Sequence, residues 1–157
     1  MSSIRKKASE GLEIGDTFSV QRTFTKKDVC QFAEISRDYN PVHFNEGFAR
    51  VKNFAGCISH GLLVGSLITE IGGQIGWLAS SMSFNFKKPV YFGETINCQL
   101  TIVKIDERGR ARAEALLTNE KNSVILEAVL EGILPGEKEK KILKEMLREG
   151  DPTNKFK

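Results

Sequence analysis

The chain has 157 residues, 40% of them hydrophobic and 27% charged, the balance of one soluble globular domain with a sizeable core. Its net charge of +3, with Lys and Arg interspersed among Asp and Glu, is too small to point to nucleic acid. No apolar run approaches the roughly 18 residues a membrane span needs, and residues 1–10 lack the apolar stretch of a secretory leader. Cys30, Cys57 and Cys98 form no CxxC pair and read as reduced, mostly buried thiols, so a cytoplasmic location is expected.

Residues 16–24 are rich in β-branched and aromatic types and read as a first strand. Thr25, with Asp28 three positions on, has the form of a capping box. Val29, Phe32, Ala33 and Ile35 supply the apolar stripe of a helix over 26–36. That helix must end before Asn40-Pro41, because a residue preceding proline disfavours the α region. From 37 to 59 the chain shows no period beyond a short helix around 46–51, and an irregular stretch of this length in a small domain is usually functional.

Residues 60–75 (HGLLVGSLITEIGGQI) are apolar on nearly all sides, which predicts a buried helix. Its glycines weaken it by about 1 kcal/mol each relative to Ala, and close approach of another backbone is the expected compensation. Four strands follow, at 81–89, 95–105, 110–119 and 124–134, joined by short turns that imply antiparallel hairpins. The layout is α+β: a single domain whose antiparallel sheet wraps around a central apolar helix. We place that domain at 12–135. An N-terminal extension (1–11) precedes it, and a charged amphipathic helix with a tail (136–157) follows. Residues 151–157 are polar and expected to fray, and the region after Gly136 is expected to be dispensable for activity.

The chain has two histidines, both in or beside the irregular stretch. In Ser36-Arg37-Asp38-Tyr39-Asn40-Pro41-Val42-His43, a rigid Asn-Pro turn can bring the Asp38 carboxylate and the His43 imidazole to one side of a loop. A carboxylate and an imidazole flanking one water suit hydration of an activated double bond, in which one proton leaves water and one reaches the neighbouring carbon. By composition alone the same residues serve equally as ordinary turn vocabulary. Further along, Ser59-His60-Gly61 opens the apolar helix. Its first N–H groups lack partners and sit at the positive end of the helix dipole, a place where a thioester carbonyl gains stabilisation as it becomes enolate-like.

The run 32–43, with Ala49 six residues later, closely resembles the hydratase motif of the MaoC-like (R)-specific enoyl-CoA hydratase family. Its downstream HGxLxxS is matched over 60–66, with His60, Gly61 and Ser66 at its fixed positions. The resemblance covers roughly 12–134. It implies a hot-dog fold, a homodimer, and hydration of trans-2-enoyl-CoA to (R)-3-hydroxyacyl-CoA without a cofactor. By the same resemblance Asp38 and His43 are the catalytic pair, the Gly61 N–H is the oxyanion donor, and Asn40 and Ser66 are supporting residues. An acyl carrier protein is an alternative carrier to CoA. Two features depart from the family pattern: Arg37 stands where glycine is usual, and a charged helix follows residue 134.

Three other readings compete. Glu70, on the apolar helix, would serve a hot-dog acyl-CoA thioesterase. A non-catalytic module would bind an acyl thioester and leave it unchanged. Cys57, His60, His43 and Asp38 could hold a metal, but a lone Cys-x-x-His spacing is a weak signal and no metal is expected. For the CoA nucleotide the candidate partners are Lys87, Lys88, Arg50 and Lys52.

Overall fold

The computed structural model describes residues 3–154. Helix α1 (Ser3–Glu10) leads into strand β1 (Thr17–Thr23) and helix α2 (Lys26–Ser36). The capping box forms as read: the Thr25 hydroxyl accepts from the Asp28 N–H (3.3 Å), and the Asp28 carboxylate accepts from the Thr25 N–H (2.7 Å). Such a cap is worth about 1 kcal/mol. After α2 come a one-turn 3-10 helix (Pro41–His43) and helix α3 (Glu46–Val51), then the central helix α4 (Gly61–Ile75). Strands β2 (Leu78–Phe86), β3 (Thr95–Ile105), β4 (Arg110–Asn119) and β5 (Val124–Ile133) follow, and helix α5 (Glu137–Glu149) closes the chain.

The five strands form one antiparallel sheet in the order β1-β3-β4-β5-β2. Helix α4 touches β1 at one edge, β2 at the other, and β3 beside β1. A flat sheet could not present both edges to one helix, so the sheet curls around α4. Alternation supplies the inner face: Ile96, Cys98, Leu100 and Ile102 on β3, and Ala111, Ala113, Ala115 and Leu117 on β4, are buried against the helix core of Leu67, Ile68, Ile71 and Ile75. None of the helices among the described residues is long and apolar enough to cross a membrane.

Three expectations need correction. Strand β2 begins at Leu78, paired with Ile133, and ends at Phe86, three residues earlier at each end than the pattern at 81–89. Beyond it the Lys87 and Lys88 N–H groups both donate to the Ile125 carbonyl, and Pro89 has no N–H to continue the ladder. The glycines of α4 do not admit another backbone. A Cβ on Gly61 would meet the Phe86 ring at 2.7 Å and one on Gly65 the Phe84 ring at 3.1 Å, whereas Gly72 and Gly73 have nothing within 4 Å.

The third correction concerns the chain ends. Residues 3–10 form a helix that buries Ile4 and Ala8 in the core, and Asp151 and Asn154 are buried rather than frayed. Helix α1 packs against both α4 and α5. The buried Arg5 guanidinium donates to the Gly73 and Gln74 carbonyls at the end of α4 and pairs with the Asp151 carboxylate at 2.6 Å. A cation at those carbonyls also answers the negative end of the helix dipole.

Candidate active site

The irregular stretch is ordered by short-range caps. Helix α2 ends on Arg37, which adopts the left-handed conformation (φ 59°, ψ 22°) and returns its N–H to the Ala33 carbonyl at 2.7 Å. This is the position at which the resemblance calls for glycine, so the backbone keeps the left-handed turn and Arg37 bears the strain. Asp38 follows, its Oδ1 accepting from the Asn40 N–H (3.1 Å). The Asn40 side chain accepts from the Val42 N–H (3.2 Å) and so caps the turn that presents His43.

His43 is buried, and its Nδ1 donates to the Ile58 carbonyl at 2.8 Å. A carbonyl can only accept, so the proton sits on Nδ1 and the lone pair on Nε2 is free. That Nε2 stands 3.9 Å from Oδ2 of Asp38, whose carboxylate is half exposed. Burial pushes the His43 pKa below the ordinary histidine value. The neighbouring His60 lowers it further, while the Ile58 hydrogen bond and the Asp38 charge pull upward.

Asp38, His43 and Gly61 line one cavity of about 470 Å³, walled by apolar side chains including Phe32, Leu62 and Val64. Gly61 is the first residue of α4, and His60 gives no side-chain cap to that helix end. The leading N–H groups therefore receive no cap from the His60 side chain. Phe86, from the edge strand, covers Gly61 closely enough that no side chain fits there.

Other sequence candidates fall differently. Lys87 and Lys88 line the cavity, with Lys87 paired to Glu127 at 3.2 Å. Arg50 lies 4.0 Å from Glu46 on its own helix, and Lys52 stands over the Phe48 ring beside a separate depression, so neither lines the cavity. The Ser66 hydroxyl donates to the Leu63 carbonyl of its own helix (2.6 Å) rather than to the loop. Glu70 pairs with Arg22 of β1 at 2.8 Å and is not part of the cavity wall.

Asp38, His43 and His60 have potential ligand atoms within 4.8 Å of one another, and Cys57 is not in that group. Tetrahedral zinc with bonds of about 2.0–2.1 Å needs donors only about 3.4 Å apart. One nitrogen of each imidazole is already committed to a carbonyl. The Ile58 carbonyl, which fixes the His43 tautomer, carries no side-chain signal that could have announced it.

The profile of the MaoC like domain matches residues 12–124. The chain is 36% identical over 108 residues to a 3-hydroxybutyryl-CoA dehydratase of Methylorubrum extorquens, covering 66% of this chain and 69% of that protein. It is 37% identical over 87 residues to a mitochondrial 3-hydroxyacyl-[acyl-carrier-protein] dehydratase of Arabidopsis thaliana, covering 54% of this chain and 52% of that protein, about half its length. In structure it is similar to an (R)-hydratase from A. caviae involved in PHA biosynthesis, with a TM-score of 0.75 and 26% identity. That match covers 80% of this chain and 99% of the hydratase. The wrapped helix and sheet are therefore a hot-dog fold, and the chain belongs to the MaoC-like domain family of hydratases and dehydratases.

Proposed function

We propose that this chain catalyses the reversible, (R)-specific hydration of a trans-2-enoyl-CoA to the 3-hydroxyacyl-CoA, with Asp38 and His43 as its catalytic residues. The observation that carries the reading is the 3.9 Å gap between His43 Nε2 and Asp38 Oδ2 beside the uncapped start of α4. A water there can donate one hydrogen bond to each acceptor, which leaves its oxygen lone pair aimed into the cavity. As that oxygen bonds C3 of the enoyl group, one member of the pair takes a proton from water. The C2=C3 electrons move into the thioester carbonyl, whose oxygen becomes enolate-like and accepts from the Gly61 N–H. A proton returned from the pair to C2 collapses the enolate and leaves both side chains in their starting state.

A cavity of this size fits an acyl thioester, and Lys87 and Lys88 at its wall suit an anionic carrier. The (R) configuration and the CoA carrier rest on the relatives, one named for a CoA thioester and one for an acyl-carrier-protein substrate, so the carrier protein is the alternative. A homodimer joined along β2 completes the proposal: this edge strand is open on both faces and exposes Leu78, Met82 and Phe86. Loss of enoyl absorbance with a chain-length series of enoyl-CoAs, with chiral analysis of the product, tests the reaction. Thioester hydrolysis with no 3-hydroxyacyl product would end the hydratase reading, and sedimentation tests the dimer.

A further inference from the structure

His60 is 1% exposed, and its contacts reach all three parts of the site. Its Nε2 donates to the Asp38 backbone carbonyl at 2.9 Å, a bond spanning 22 residues. Its ring lies 3.8 Å, centroid to centroid, from that of His43 and 5.0 Å from that of Phe32. It also directly precedes Gly61 as the N-terminal flanking residue of α4, where it makes no cap. An N-cap needs an acceptor, and the acceptor nitrogen of His60 makes no such bond, while its donor goes to the Asp38 loop. Its Nδ1 is buried with no hydrogen-bond partner among the described residues. Such an atom costs stability, so the local fold tolerates an expense that packing alone does not explain.

We propose that His60 is a positioning residue that ties the Asp38 loop to the start of α4 and packs its ring, tilted by 32°, against that of His43, setting the carboxylate–imidazole spacing from the rigid helix. This rests on the reading of Asp38 and His43 as the catalytic pair. The hydrogen bond fixes where the carboxylate stands, and the ring contact fixes the plane of the imidazole. Displacements near 1 Å at a reacting centre can lower the rate about 10²-fold, and an exposed loop has no other long-range tether at Asp38 among the described hydrogen bonds.

This ring contact also bears on the charge of His43. Two imidazoles in contact resist protonating together. The charged and titratable groups around His43 are Asp38 from the loop, His60 from the start of α4, and Lys87 and Lys88 from the cavity wall beyond β2. Of these, Asp38 favours imidazolium and His60 opposes it.

The experiment compares wild type with His60→Gln, whose amide keeps a donor near the Nε2 position, and His60→Phe, which keeps the ring and removes the donor. Thermal unfolding establishes that each variant is folded. The chain has two histidines, so the His43 ring signal is assigned directly in either variant and titrated by NMR. We expect the His43 midpoint to rise in both variants. We further expect kcat to fall about 10-fold or more in His60→Phe with KM little changed, and to be partly recovered in His60→Gln. A merely structural residue would lower the unfolding temperature while leaving the midpoint and kcat alone. Unchanged His43 titration in a folded variant overturns the proposal, and if His60→Phe fails to fold, His60→Gln still gives that reading. The hydratase assignment fails separately: wild type that never hydrates an enoyl thioester, with the shift of His43 intact, sinks the reaction and keeps the coupling.

Discussion

His43 Nε2 and Asp38 Oδ2 stand 3.9 Å apart, the first on a buried imidazole and the second on a half-exposed carboxylate. That span is too long for a direct hydrogen bond and short enough for one water to bridge. If both groups hold the same water, Asp38→Asn and His43→Gln should each lower kcat/KM by about 10²- to 10⁴-fold. The double variant should be little worse than either single one, since residues acting as a unit are strongly non-additive. Folded variants that retain full hydration of crotonyl-CoA would remove both residues from the mechanism.

The pH dependence follows from the direction of the His43 shift. Burial first, then the neighbouring His60, lowers its pKa, and the proposed mechanism uses the neutral imidazole. The rate, kcat/KM, should therefore fall as pH drops, along a limb centred below the ordinary histidine value of about 6.5. Stability should move the same way. The unfolded chain takes up this proton at higher pH than the folded one, so stability falls as pH drops through about 6.5 towards the folded-state pKa. A rate profile flat down to the carboxylate range, or a limb that persists unmoved in His43→Gln, would show that this imidazole does not titrate in the working enzyme.

Arg37 supplies a test of backbone strain. A non-glycine residue in the left-handed region (φ 59°) costs about 1–2 kcal/mol, offset in part by the greater freedom glycine brings to the unfolded chain. Arg37→Gly should raise stability by up to about 1 kcal/mol without slowing hydration. A loss of stability would mean that the guanidinium makes a compensating contact. A loss of rate would place the side chain near the ligand.

Much of this fold could be read from the chain because local signals and tertiary packing agree. Thr25 with Asp28 announced a helix that runs over Lys26–Ser36, and the alternation on β3 and β4 matches their buried faces. Asn40 before Pro41 announced the turn that carries His43. What stayed hidden has a physical cause in each case. Helix α1 carries a mean hydropathy too low for a core element, and it is held by a buried guanidinium meeting a carboxylate 146 residues away, a pairing no local pattern encodes. His60 stood in view within a familiar motif, but its bond to a backbone carbonyl leaves no trace in the partner's residue type.

Glu70 separates the hydratase reading from a thioesterase. It lies on the central helix, paired with Arg22 and away from the cavity wall. Glu70→Gln should leave hydration within about twofold of wild type and lower stability by about 1 kcal/mol, the usual scale for a partly exposed pair. Abolished turnover in a folded Glu70→Gln protein would favour the thioesterase.

The pairing of Arg5 with Asp151 predicts that the two ends of the chain stabilise the fold without taking part in the chemistry. Both side chains are buried, and the guanidinium also holds the Gly73 and Gln74 carbonyls at the far end of α4. That end lies ~20 Å from Gly61 along a 15-residue helix. Removing one partner of a buried pair strands the other and typically costs about 3–5 kcal/mol, so Arg5→Ala should lower the unfolding free energy on that scale. Asp151→Asn keeps a hydrogen-bonding group and should cost less. Arg5→Ala and Asp151→Asn combined should be no worse than Arg5→Ala alone if the pair is a single unit. For Asp151, burial opposes the charged form, but hydrogen bonds from Thr153 and the charge of Arg5 outweigh it and hold the pKa below the usual carboxylate value. The contribution of Asp151 is therefore complete above about pH 4 and is lost as pH falls through its lower folded-state pKa. Truncation after Gly136 removes Asp151 and the buried Leu147 together and should destabilise the protein more than either substitution. Activity per folded molecule should stay near wild type at temperatures where the variants remain folded. Denaturant unfolding read alongside the enoyl-CoA assay separates these quantities. A folded Arg5→Ala protein with wild-type stability would show that the clamp contributes nothing. One with normal stability and a crippled rate would show that the ends of the chain communicate with the site through α4.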